Sequence, residues 1–301
     1  MILLILSILL VYLTIASCCD LKYLEVPDWL SFSLILLGIS FGFGLSIMED
    51  NWFYLLESLA GFGFAYLLAA FFYYTGQWGG GDAKVLMGLG AFMGLSLDSS
   101  IPFISLLKNS LMGFNFLSFI FFCMVGGALF GMGIMIYYAI KHRKEFMKEY
   151  SKRRKQTTPI FRIVLISTLS LFGIAFFLDD FLIRVLCLML GFIIFFGYFL
   201  FVFVRAVEKS AMIKELPISK ISPGDWLMEN VVVDGKTICL KKKTGIDEKD
   251  IKKLKKLARE NKIKRVKVRY GYPFVPGFLI GLILYMFLGN LLVKVFLLLF
   301  G

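Results

Sequence analysis

The sequence predicts an α-helical polytopic membrane protein of about eight transmembrane helices with a small cytoplasmic α+β module, and three observations carry that prediction. Of its 301 residues, 59% are hydrophobic and only 18% are charged, with a mean hydropathy of +0.81. A soluble domain of this length cannot bury so much apolar surface. The apolar residues fall in unbroken blocks near the ~20 residues that cross a bilayer, rather than in a helical or strand period. Charge is segregated as well: the net charge is +12, yet 27 of the 33 Lys and Arg lie in two segments, 141–159 and 205–273.

Taken in order, the apolar segments lie at about 2–18, 29–48, 52–74, 83–97, 113–140, 160–178, 181–204 and 275–299. The fourth is short for a crossing and the fifth longer than one needs. The positive-inside rule sets their orientation. With 141–159 and 205–273 on the cytoplasmic side, counting back places the N-terminus outside, together with the connections holding Glu49, Asp50, Asp98, Asp179 and Asp180. Those connections carry a single Lys, Lys108, and Gly301 also falls outside. Ile15-Ala16-Ser17-Cys18 has the look of a lipoprotein cleavage box, but no Lys or Arg precedes Lys22, as a signal peptide requires.

Three domains follow: a membrane-embedded part, 1–204, a basic module, 205–273, and a last membrane helix, 274–301. Within the module, Ser222-Pro223-Gly224-Asp225 is turn chemistry, and Val231-Val232-Val233 and Thr237-Ile238-Cys239-Leu240 flank Asp234-Gly235 as a hairpin does. Thr244 and Asp247 resemble a capping box opening a basic helix to about Asn261, with Ile251, Leu254, Leu257 and Ala258 on one face. Lys264–Tyr270 alternates as a strand does. The basic segments lack a recognition helix or a Gly-aromatic RNA-binding pattern, so they read as cytoplasmic loops and not as a nucleic-acid surface.

Two places set polar residues against membrane-length apolar runs: Cys19-Asp20-Leu21-Lys22 with Val26-Pro27-Asp28-Trp29-Leu30, and Gly79-Gly80-Gly81-Asp82-Ala83-Lys84. An ionisable group at membrane depth is costly and marks function by default. Asp20 closes the first span and Asp82 opens the fourth. Two crossings separate them, so both carboxylates lie on one side, the cytoplasmic side by the charge argument. Glu25 and Asp28 share the loop with Asp20 and stay open as partners. Two adjoining carboxylates can share one proton, so that one deprotonates water while the other polarises a carbonyl. Three successive glycines weaken a helix start but let another backbone approach Asp82 closely. No metal or cofactor is called for: the five cysteines form no C-x-x-C pair, and the only histidine, His142, sits in a basic run.

Gly79-Gly80-Gly81-Asp82-Ala83-Lys84, followed by Val85-Leu86-Met87-Gly88, resembles the Gly-x-Gly-Asp-x-Lys motif of type IV prepilin peptidases. Asp20-Leu21-Lys22 with Val26-Pro27-Asp28 resembles that family's first aspartate and its Ile-Pro-Asx segment, in the same order and on the same side. The resemblance covers residues 1–140, and Tyr272-Pro273-Phe274-Val275-Pro276-Gly277 is similar to the extension of archaeal members, preflagellin peptidases included. It implies an aspartic endopeptidase with Asp20 and Asp82 as the catalytic pair and Gly79, Gly80, Gly81 and Lys84 in the active-site loop. Its partners would be the lipid bilayer and membrane-inserted pilin or archaellin precursors, cut before their hydrophobic helix. Lys84 is equally accounted for as a membrane-flank cation. Signal-peptide-peptidase-like proteases share Gly-x-Gly-Asp but place both aspartates deeper within adjacent helices. A transporter or channel is the alternative of another class, and it calls for charges at mid-membrane or an internal repeat; the sequence shows neither.

Overall fold

The computed structural model describes residues 2–97, 115–222, 224–233, 236–242, 245–260, 262–269 and 271–300. The chain is an α-helical polytopic membrane protein with a small sheet region. In a bilayer every backbone polar group must be satisfied within its own segment, so each apolar block becomes a helix. These are α1 (Ile2–Tyr23), α2 (Asp28–Met48), α3 (Phe53–Tyr74), α4 (Gly80–Met93), α5 (Phe116–Lys141), α7 (Thr158–Phe177), α8 (Phe181–Val207) and α10 (Val275–Phe300). Among the described residues six helices are long and apolar enough to cross a membrane, namely α1, α2, α3, α5, α7 and α8.

The segment 83–97, read from sequence as a short fourth span, holds the 14-residue α4, about 21 Å long beside a ~30 Å hydrocarbon core. It ends at Gly94, whose φ of 66° is open chiefly to glycine. Protein rather than lipid surrounds it: Val85, Leu86, Leu89, Phe92 and Met93 are all buried. The basic run 143–156, read as a loop, is a helix, α6 (Arg143–Gln156). Lys, Arg and Glu are good helix formers, and Arg153, Arg154 and Lys155 in its last turn complement the dipole.

Two compact units make up the chain: 1–133 with 217–266 and 271–301, and 134–216 with 267–270. In the first, α2, α3 and α4 pack through small residues. A Cβ on Gly88 would stand 2.6 Å from Leu34, and one on Gly90 2.5 Å from Ala65. Buried Ser58 of α3 donates to the Ala91 carbonyl of α4 at 2.8 Å and to the Gly38 carbonyl of α2 at 3.3 Å. Close approach and interhelical hydrogen bonds hold helices together where lipid offers no hydrophobic drive. α1 packs on α10, and α5 meets α10 at Gly126 and Gly281, where a Cβ on Gly126 would stand 2.6 Å from the Gly281 nitrogen.

The same unit holds β2 (Trp226–Leu227), the hairpin of β3 (Val231–Val233) and β4 (Lys236–Cys239), and α9 (Glu248–Arg259). β3 and β4 are antiparallel, with Val232 opposite Thr237 and a bulge between Val231 and Val232; the Asp234-Gly235 turn lies outside the described residues. α9 is capped at Asp247 without a side-chain bond, and Thr244, expected to open the capping box, also lies outside them. Its Ile251 and Leu254 are buried, as the periodicity predicts. In the second unit α6, α7 and α8 lead through a π-helical turn, Glu208–Met212, into β1 (Ile213–Pro217), which pairs with β5 (Arg265–Arg269). Glu208 binds Arg205 at 3.0 Å and Arg269 at 3.3 Å there.

Candidate active site

Asp20 lies in the last turn of α1, three residues from its end. Leu24 N–H makes the last helical bond, to the Asp20 carbonyl at 2.8 Å, and the helix stops there because Leu24 takes a left-handed φ of 57°. A left-handed leucine is uncommon and turns the chain sharply, sending Glu25, Val26 and Pro27 toward α2. Asp20 is only 5% exposed, and its Oδ2 accepts the backbone N–H of Val275 at 3.0 Å. Val275 opens α10, so its amide has no intrahelical acceptor. The Phe274 amide acts on the same carboxyl.

Asp82 is the third residue of α4, and its Oδ2 accepts the N–H of Gly79 at 3.0 Å, closing the first turn from within. Each aspartate thus sits at the electropositive N-terminal end of a helix, Asp82 at its own and Asp20 at that of α10. The two carboxyls are close enough to interact directly through their charge. Glu25 is exposed. Asp28 faces a different partner: Lys84 Nζ lies 2.6 Å from its Oδ1 and 5.2 Å from the centre of the Phe32 ring. Lys84 therefore ties the head of α4 to the head of α2.

The three glycines differ in what surrounds them. A Cβ on Gly81 would stand 3.3 Å from both Cβ and N of Val26, so the loop after Asp20 lies against the first turn of α4; Gly80, Gly81 and Lys84, read from sequence as an active-site loop, belong to that helix, with Gly79 as its cap. At Gly79 the nearest atom would be Asp82 Oδ2 at 3.4 Å, and at Gly80 it would be a Tyr73 ring carbon at 4.0 Å. Gly80, the variable position of Gly-x-Gly-Asp, is the least crowded.

Two features escaped the sequence reading. Trp78, 6% exposed, packs its ring on Phe72 at 4.4 Å, Phe274 at 5.1 Å and Phe278 at 5.5 Å. It joins the residue before Gly79 to the residue before Val275, and aromatic pairs of this kind contribute about 0.5–1.5 kcal/mol each. The second is the Val275 amide itself. Its only sequence signal is Pro276, since proline near a helix start marks a helix N-terminus; nothing local says what that end faces.

Residues 7–132 match the type IV leader peptidase family. Over 81 residues the chain is 37% identical to a preflagellin peptidase of Methanocaldococcus jannaschii, covering 27% of this chain and 34% of that protein. Over 81 residues it is 35% identical to a preflagellin peptidase of Methanococcus maripaludis, covering 27% and 35%. The matched segment thus spans about a third of the length of these relatives. No solved structure matches the chain.

Proposed function

From the premise that residues 7–132 match the type IV leader peptidase family, we propose that this chain is an aspartic endopeptidase. It removes the leader of membrane-inserted pilin-like or archaellin precursors at the cytoplasmic face. One observation carries the reading: two carboxyls from distant helices, Asp20 and Asp82, are each held by a backbone amide at a helix N-terminus, with the loop after Asp20 packed on the first turn of α4 at Val26 and Gly81.

The chemistry follows from that pairing. A pair holding one proton between them has one carboxylate to take a proton from water and one carboxyl to hydrogen-bond the scissile carbonyl oxygen. The attacking oxygen adds to the carbonyl carbon, and the proton removed from water passes to the leaving amine as the C–N bond breaks. The glycines at the head of α4, Gly79 as its cap and Gly81 in its first turn, leave room for a substrate backbone alongside Asp82. Basic segments on one side of the bilayer, with the short α4 counted as a crossing, support a cytoplasmic active site with both termini outside.

Asp20→Asn and Asp82→Asn test the proposal. Each is expected to abolish cleavage of a co-expressed precursor, read by N-terminal sequencing of the product, while the protein accumulates in membranes at wild-type level. Cleavage at an unchanged rate by either variant would overturn the assignment.

A further inference from the structure

The N-terminal end of α10 belongs to the proposed active site, although it lies 255 residues from Asp20 in sequence. The segment leading into it is packed at Gly271, Tyr272 and Phe274. The Trp226 ring stands over Gly271, Tyr272 over Gly131 and Phe274 over Gly127. Phe274 is also packed on Trp78 and, at 5.2 Å, on Phe278. Val275, fully buried, then offers its amide to Asp20 Oδ2 at 3.0 Å. A helix-terminal N–H would otherwise need water or a cap; here a carboxylate on another helix satisfies it.

We propose that this strap, 271–275, is a positioning device for Asp20, with the Val275 N–H as its working atom. A carboxyl with one oxygen tied down presents the other in a fixed direction. With Oδ2 tied to the Val275 N–H, the strap leaves the Oδ1 of Asp20 as the oxygen free for chemistry. Trp226, packed over Gly271, braces the start of the strap while contributing no reacting group. The inference rests on the proposed role of Asp20 as a catalytic carboxylate.

Val275→Pro removes the N–H and keeps a residue suited to the first helical position. Val275→Ala trims the side chain and keeps the N–H. Both are made in the full-length chain, reconstituted in lipid nanodiscs with a membrane-inserted precursor bearing a basic leader. Val275→Pro is expected to lower kcat by about tenfold to a hundredfold, the range of a lost hydrogen bond to a charged group, with KM within about twofold of wild type. Val275→Ala, which keeps the N–H, is expected to retain at least about fivefold more kcat than Val275→Pro. Wild-type kcat in Val275→Pro, an equal loss in Val275→Ala, or a change confined to KM would each overturn the proposal.

A second measurement does not need Val275→Pro to fold. In Asp20→Ala, hydrogen exchange at the Val275 amide is expected to be at least about tenfold faster than in the wild type, since its acceptor is gone. Unchanged exchange would overturn the proposal. Full activity in Asp20→Asn would instead remove the parent reading, and the exchange result would still report whether the strap holds that side chain.

Discussion

Gly81 is where the two halves of the proposed site touch, and its replacement is worth working through. A Cβ there would lie 3.3 Å from Val26 Cβ and N and 3.4 Å from Val26 Cγ2, inside the ~3.5–4.0 Å at which carbon atoms attract best. Alanine demands a shift of a few tenths of an ångström, partly offset by its helix propensity, about 1 kcal/mol better than glycine. Valine adds two methyl groups to a contact already made, an overpacking of about 1–3 kcal/mol. Val26 is buried and one of the crowded atoms is its backbone nitrogen, so relief comes by moving the loop that joins Asp20 to Asp28. A misplacement near 1 Å at a reacting group can cost about a hundredfold in rate. Gly81→Val is therefore expected to slow single-turnover cleavage of a leader-plus-helix peptide by at least about tenfold. Gly80→Ala, whose Cβ meets nothing nearer than 4.0 Å, should stay within about twofold of wild type and melt no lower. If Gly81→Val cleaves normally, or Gly80→Ala is as damaging, contact with Val26 is not what makes this loop sensitive.

The Lys84–Asp28 pair is partly solvated, with side-chain exposures of 31% and 69%, and exposed pairs contribute about 0.2–1 kcal/mol. Lys84→Met and Asp28→Asn should each cost less than tenfold in cleavage, with the double variant no worse than the poorer single one; abolished cleavage in Lys84→Met would instead make Lys84 part of the chemistry. In the module, Lys242 Nζ lies 2.5 Å from Asp247 Oδ2 and 2.8 Å from Asp250 Oδ2. The hydrogen bond from Lys242 holds the Asp250 carboxyl below its ordinary range, and those to Asp247 and Asp250 hold the Lys242 ammonium above its own. The Asp250 contribution to stability is then present above pH ~4 and is lost as pH falls through its lower folded-state value. The Lys242 contribution is present below pH ~10 and is lost as pH rises through its raised value. Lys242→Met should reduce hydrogen-exchange protection of α9 at pH 7 and leave it unchanged once Asp250 is protonated in acid; equal loss at both would show that charge is not the cause.

The helical fold and the candidate aspartates were legible because both rest on local chemistry. A run such as Phe181–Val207 allows one structure in lipid, and Asp20 and Asp82 announce themselves as charges at the ends of apolar blocks. Less legible were the extents. The 143–156 helix hid behind its charge, which a polarity pattern reads as loop although lysine and arginine propagate helices well. The shortness of α4 depended on Gly94 and on burial by α2 and α3, neither of which an apolar run reveals. Gly61 packs against Gly90, while Gly63 of the same helix faces nothing within 4 Å; composition alone does not tell the two apart.

By itself the sequence determined that the chain enters the bilayer many times, that its positive charge collects in two segments, and that two carboxyls stand at the ends of membrane helices. These are consequences of solvation, which acts residue by residue. Only the tertiary structure decided what each carboxyl touches: Gly79 for Asp82, Val275 for Asp20, and Asp28 rather than either of them for Lys84. Such partners are backbone amides and distant side chains brought together by helix packing, and a backbone amide carries no mark in the sequence of the group it will meet.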